Sequence, residues 1–188
     1  MNKTKRLALA SLFCAFCCIG TMIHVPAGPT LGYVHLGDAF VLLSGILLGP
    51  VTGGLAAAIG SALADLINGY AIWIPGTFII KGLCAVICGL FFNKFWIHSN
   101  KKNHKKLHGT IILSGFIAEC VMILGYFAYE ILLLVLSSGG DSSIGVAVTT
   151  SLLNVPFNVL QAIAAIIFTL FLVPILLRLE DVRNLMNP

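Results

Sequence analysis

Residues 32–82 read GYVHLGDAFVLLSGILLGPVTGGLAAAIGSALADLINGYAIWIPGTFIIKG. Three apolar, helix-length segments follow one another here almost without linkers, and each carries one ionisable residue: Asp38, Asp65 and Lys81. A charge inside a membrane segment costs several kcal/mol, so it faces a bundle interior or an aqueous cavity and marks a functional path. The middle segment is built largely from Gly, Ala and Ser, which predicts closely packed helices around a small polar site.

Working outward, the composition points the same way. Of 188 residues, 59% are hydrophobic and only 10% charged, with a mean hydropathy of +1.02. Soluble domains carry about 25% charged residues, so the chain reads as an integral membrane protein. No stretch is polar enough for a separate soluble domain, so residues 1–188 read as one transmembrane domain. The net charge of +4 comes from Lys and Arg at segment ends, which suits membrane topology and not nucleic-acid binding. Six cysteines (Cys14, Cys17, Cys18, Cys84, Cys88, Cys120) fall inside apolar segments and read as packing residues. No metal site or cofactor is expected: His98, His104 and His108 share no rigid frame, and the loop that holds them reads as solvated and drawn to anionic lipid.

Helix-length apolar runs and Gly/Pro punctuation give six spans, starting with a retained first helix near 6–24. The others lie near 36–48, 50–67, 75–92, 110–136 and 148–177, with Pro156 expected to kink or delay the last. With six spans, Lys3, Lys5, Arg6, Lys94, Lys101, Lys102, Lys105, Lys106, Arg178 and Arg183 share one side. The positive-inside rule makes that side cytoplasmic, with both termini inside. The expected fold is therefore an all-α, multi-pass, six-helix membrane bundle in the cell membrane.

That topology sorts the polar residues by depth. Asp38, Asp65, Asn68, Lys81, Tyr126, Tyr129 and Glu130 fall in the outer half, as do Asn154, Asn158 and Gln161, while Glu119 lies deeper. Asn154, Asn158 and Gln161 follow i, i+4, i+7 and occupy one helical face. Two readings stay open for these groups: interhelical hydrogen bonds, with Lys81 satisfied by Asp65 or Asp38, or a pocket for a small polar ligand open to the outside. Lys81, Asn154, Asn158, Gln161, Asp65, Asp38, Glu130 and Tyr126 are the candidate ligand-binding residues, with Asp65 expected to orient Lys81. Gly49, Gly53, Ala57 and Ser61 recur every four residues, a face for close helix approach within the bundle or to a partner. No catalytic residue is nominated, because there is no G-x-x-x-x-G-K-[ST], H-E-x-x-H or G-x-S-x-G.

The runs G-Y-V-H-L-G-D-A, L-L-G-P-V-T-G-G, G-S-A-L-A-D-L and P-G-T-F-I-I-K-G, with N-x-x-Q at Asn158 to Gln161, resemble substrate-binding S components of energy-coupling factor (ECF) vitamin transporters. The branch they are most similar to is the riboflavin-type family, which also holds hydroxymethylpyrimidine- or pyridoxine-type proteins. The resemblance implies a six-helix subunit that takes a small water-soluble vitamin from outside. Such a subunit docks on a transmembrane coupling subunit and two ATPases, and topples to release its cargo inward. It also implies a small-residue docking surface, for which Ser11, Ala15, Gly53 and Ala57 are the candidates. A pyridoxine- or hydroxymethylpyrimidine-like cargo is expected first and riboflavin second. A membrane scaffold subunit without cargo is the rival reading.

Overall fold

The computed structural model describes residues 3–26, 33–97, 104–137, 144–179 and Val182. The expectations placed on the 27–32 and 138–143 loops, on His98, Lys101 and Lys102, and on Arg183 lie outside these residues. The first apolar run forms α1 (Lys3–Met22), followed by two short antiparallel strands, β1 (His24–Pro26) and β2 (Tyr33–His35). Then come α2 (Gly37–Leu48), α3 (Pro50–Ile67), a 3₁₀ turn at Ala71–Trp73, and α4 (Ile74–Ile97). α5 (His104–Ser137), α6 (Ile144–Leu152) and α7 (Val155–Leu176) complete the described helices.

The punctuation residues set the boundaries. Gly49, at φ 79°, supplies the left-handed residue that ends α2, and Pro50 begins α3, where a missing N–H costs nothing. Gly69, at φ 80°, plays the same terminating part beyond α3. The sixth span starts at Ile144, before the expected position, and is two helices with a break at Leu153 and Asn154. There the N–H groups reach back three residues, Leu153 to Thr150 O and Asn154 to Ser151 O, each at 3.1 Å. Pro156, just beyond, has no N–H to carry the regular ladder on from α6.

Among the described residues, five helical stretches are long and apolar enough to cross a membrane: Lys3–Met22, Pro50–Ile67, Ala71–Trp96, Lys105–Ser137 and Ile144–Leu176. The shorter α2 is the remaining expected segment, and the whole is an all-α membrane bundle. α2 packs on α1, α3, α4 and α7, and every one of its residues except Phe40 is buried. The small residues of α3 are used on three sides. A Cβ on Gly60 would stand 2.2 Å from Cys14 O of α1, and one on Gly53 2.2 Å from Ser44 O of α2. One on Gly54 would stand 2.6 Å from Val86 of α4. The remaining side of α3 exposes Val51, Leu55, Ile59, Leu63 and Leu66, a stripe suited to lipid contact.

This geometry corrects part of the docking expectation. Gly53 and Ala57 are buried inside the chain's own bundle and offer no surface to another subunit. The small-residue repeat is spent on α1, α2 and α4. Ser11 and Ala15 lie exposed on α1, one turn apart.

Candidate functional site

The polar residues of 32–82 meet at the end of the bundle that carries β1 and β2. Asp38, in the first turn of α2, is fully buried and pairs with the Lys81 ammonium of α4, itself fully buried. The second Asp38 oxygen accepts a 2.6 Å hydrogen bond from Gln161 Nε2 of α7. The Gln161 carbonyl accepts the His35 backbone N–H at 3.1 Å, tying strand β2 to the helices. His35 Nδ1 in turn accepts the Gly37 N–H at 3.0 Å, so that nitrogen carries no proton. Burial, then the nearby Lys81 charge, pushes the imidazole down to about 4, keeping it neutral around pH 7. A side chain at Gly37 would lie 2.3 Å from Thr21 Oγ1 and 2.8 Å from His35 Nδ1, so only glycine fits.

From Lys81 the network continues in the other direction. The ammonium stands 4.9 Å from the centre of the Tyr126 ring, a cation–π contact. Tyr126 OH donates to Thr77 Oγ1 of α4 at 3.2 Å. One connected path, His35–Gln161–Asp38–Lys81–Tyr126–Thr77, therefore links β2, α7, α2, α4 and α5. Trp73 lies beside it, its ring 6.2 Å from Tyr126 and 5.8 Å from Tyr129, whose OH donates to Ile72 O at 2.7 Å.

A second polar group sits at the α6–α7 break. Asn154 Nδ2 donates to Glu130 Oε1 at 2.5 Å, while Asn154 Oδ1 and Ser151 Oγ are buried without a partner among the described residues. Asn158, one turn before Gln161 on α7, is half-buried. Glu119 is 1% exposed, and neither of its oxygens has a hydrogen-bond partner among the described residues; Asp65 Oδ2 is in the same position. Buried polar atoms of this kind ask for a partner that a ligand or water can supply.

The structure thus brings Asp38, Lys81, Gln161 and Tyr126 into one network and joins Glu130 to Asn154, while Asp65 is buried in the last turn of α3 without joining that network. It corrects one pairing. Asp38, not Asp65, holds Lys81, because α2 lies between α4 and α7 and delivers its first turn to the ammonium. Two members were not foreseen, His35 and Thr77. Their signals were present: His35 precedes Asp38 by three residues, and Thr77 precedes Lys81 by one helical turn.

A family model described as "ECF-type riboflavin transporter, S component" matches residues 1–178. The chain belongs to this S-component family. The family is one of transporter subunits, not enzymes, and its members are multi-pass membrane proteins, as the apolar helices here require. The S component described as that of a bacterial ECF transporter superposes over 100% of both chains, with a TM-score of 0.59 at 21% identity. ThiT from Listeria monocytogenes superposes over 98% of this chain and 100% of its own, with a TM-score of 0.55 at 18% identity. At such identities these two structures show the shared fold. An uncharacterised protein from Pyrococcus woesei is 37% identical over 105 residues, 56% of this S component. The match spans 64% of that relative's length.

Proposed function

We propose that this S component is the substrate-binding subunit of an ECF-type importer, and that its cargo is a small, neutral heteroaromatic alcohol resembling pyridoxine or hydroxymethylpyrimidine. The carrying observation is the buried path from His35 to Thr77, which gathers groups from β2 and four helices at one end of the bundle. Its amides, hydroxyls and aromatic rings suit such a compound. The Asp38–Lys81 pair balances its own charge, leaving Asp65 and Glu130 as an acidic surplus. That surplus opposes phosphorylated or polyanionic vitamins. Riboflavin is the second reading, favoured by the description of the matching family model.

Lys81, Asn158 and Gln161 contact the cargo in this reading, with Asp38 and Asp65 holding the frame and Glu130, Asn154 and Tyr126 at its rim. Calorimetric titration with a vitamin panel tests it, comparing wild type with Lys81→Met and Asn158→Ala. Each substitution should weaken binding by about 1.5–3 kcal/mol where it removes a hydrogen bond to a charged group, and nearer 1 kcal/mol for a neutral one. Unchanged affinity in both variants would place the cargo elsewhere, and tight binding of a polyanion would overturn the charge argument.

Sidedness and partners belong to the same proposal. The ends bearing Lys3, Lys5, Arg6, Lys94, Lys105, Lys106 and Arg178 face the cytoplasm, and the β1–β2 end faces out. An ECF transmembrane coupling subunit and two ATPases drive inward release, with Ser11 and Ala15 on α1 as the docking face. Impermeant thiol reagents should label a cysteine introduced at Lys105 only after the membrane is opened. Labelling in sealed cells would reverse the orientation, and vitamin uptake by the lone subunit in liposomes would remove the need for partners.

A further inference from the structure

At the end of the bundle opposite the polar path, a surface cleft of about 380 Å³ opens between the last turns of α4 and the first turns of α5. Lys94, Phe95, Lys106, Gly109, Thr110 and Leu113 line it. Along α4 it lies about 20 Å from Lys81, so it is a separate place in the molecule. We propose that this cleft is a binding site for one phospholipid with an anionic headgroup, its phosphate between Lys94 and Lys106 and its acyl chains running down α5.

Three observations carry the assignment. The first is charge. Residues 94–108 contain Lys94, Lys101, Lys102, Lys105 and Lys106 and no Asp or Glu, and the first turn of α5 has no acidic residue. The amino end of a helix adds its own positive potential to the two lining lysines. The second is the apolar floor. Phe95 and Leu113 are exposed on the flanks, and Ile112 and Phe116 continue an exposed apolar surface along the membrane-spanning part of α5. A soluble phosphate compound has no use for that surface, whereas acyl chains do.

The third is Gly109. Glycine inside a helix costs stability relative to alanine. The other helical glycines whose surroundings are described pack against neighbours within 4 Å, and Gly49 and Gly69 hold positive φ in turns. Gly109 does neither: a Cβ built there meets nothing within 4 Å. What its missing side chain supplies is the open space of the cleft.

Native mass spectrometry of the full chain, exchanged into mixed micelles of phosphatidylglycerol and phosphatidylcholine, tests this. Wild type should retain one phosphatidylglycerol in preference to phosphatidylcholine. The double variant Lys94→Gln/Lys106→Gln should lose that preference by about tenfold or more, since each lysine near an anionic lipid surface contributes on the order of 1 kcal/mol. Gly109→Leu should lose it by filling the cleft with both charges kept, and the open space around Gly109 lets that variant fold. Lys3→Gln/Lys5→Gln, on α1, should leave retention unchanged. Equal losses in the α1 control would reduce the effect to diffuse attraction and overturn the site. Retained preference in Gly109→Leu, equal retention of phosphatidylcholine, or displacement by inorganic phosphate would overturn it too.

Discussion

Asp38→Asn should destabilise the detergent-solubilised protein by about 3–5 kcal/mol, because it leaves the Lys81 ammonium buried without its counter-charge. Both partners are fully buried, so water cannot compensate. The cost also spreads, since Gln161 donates to the same carboxylate and an amide in its place offers an N–H where the second acceptor oxygen stood. Removing both charges together, in Asp38→Asn/Lys81→Met, should restore much of the stability while abolishing the polar centre. Equilibrium unfolding of the two single variants and the double gives the coupling directly. Near-additive losses would mean that the pair does not act as a unit.

The second large effect is steric. A Cβ on Gly45 of α2 would stand 2.2 Å from the backbone oxygen of Ala85 in α4, and one on Gly89 would stand 2.5 Å from Gly45 O. The two helices thus touch backbone to backbone, and no rotamer change can relieve an added side chain. Gly45→Val should cost about 3 kcal/mol or more through overpacking, separating the helices that join Asp38 to Lys81. Thermal unfolding with and without a bound vitamin measures it, and loss of binding should accompany loss of stability. A Gly45→Val protein that melts like wild type would show that α2 and α4 do not meet so closely.

Much of this arrangement is legible in the residues, and the limits are physical. Helix boundaries at Gly49-Pro50 and Gly69 can be read because positive φ and a missing N–H are local properties. The depth of Lys81, Asp65 and Gln161 can be read because rise per residue is fixed. Azimuth cannot. Asp38 and Asp65 lie at similar depth, and only the position of α2 among its neighbours decides which one meets Lys81. The same blindness affects Gly53 and Ala57, since a small-residue repeat says that a backbone approaches closely but not whose backbone it is. The β1–β2 pairing, three residues on each strand and Pro26 among them, gives no alternating signal to read. The early start of α6 was hidden by the Gly- and Ser-rich run before it.

α2 has twelve residues and so about 18 Å of length, against ~30 Å of hydrocarbon. It is also sheathed by α1, α3, α4 and α7, with Phe40 its one residue that is not buried. Such a segment cannot anchor itself in a bilayer as it leaves the ribosome, since it neither spans the lipid nor has a lipid-facing side. Its place has to be completed late, when α4 and α7, made after it, close around it. The Asp38–Lys81–Gln161 junction therefore closes only after α7, which supplies Gln161, has packed against α2.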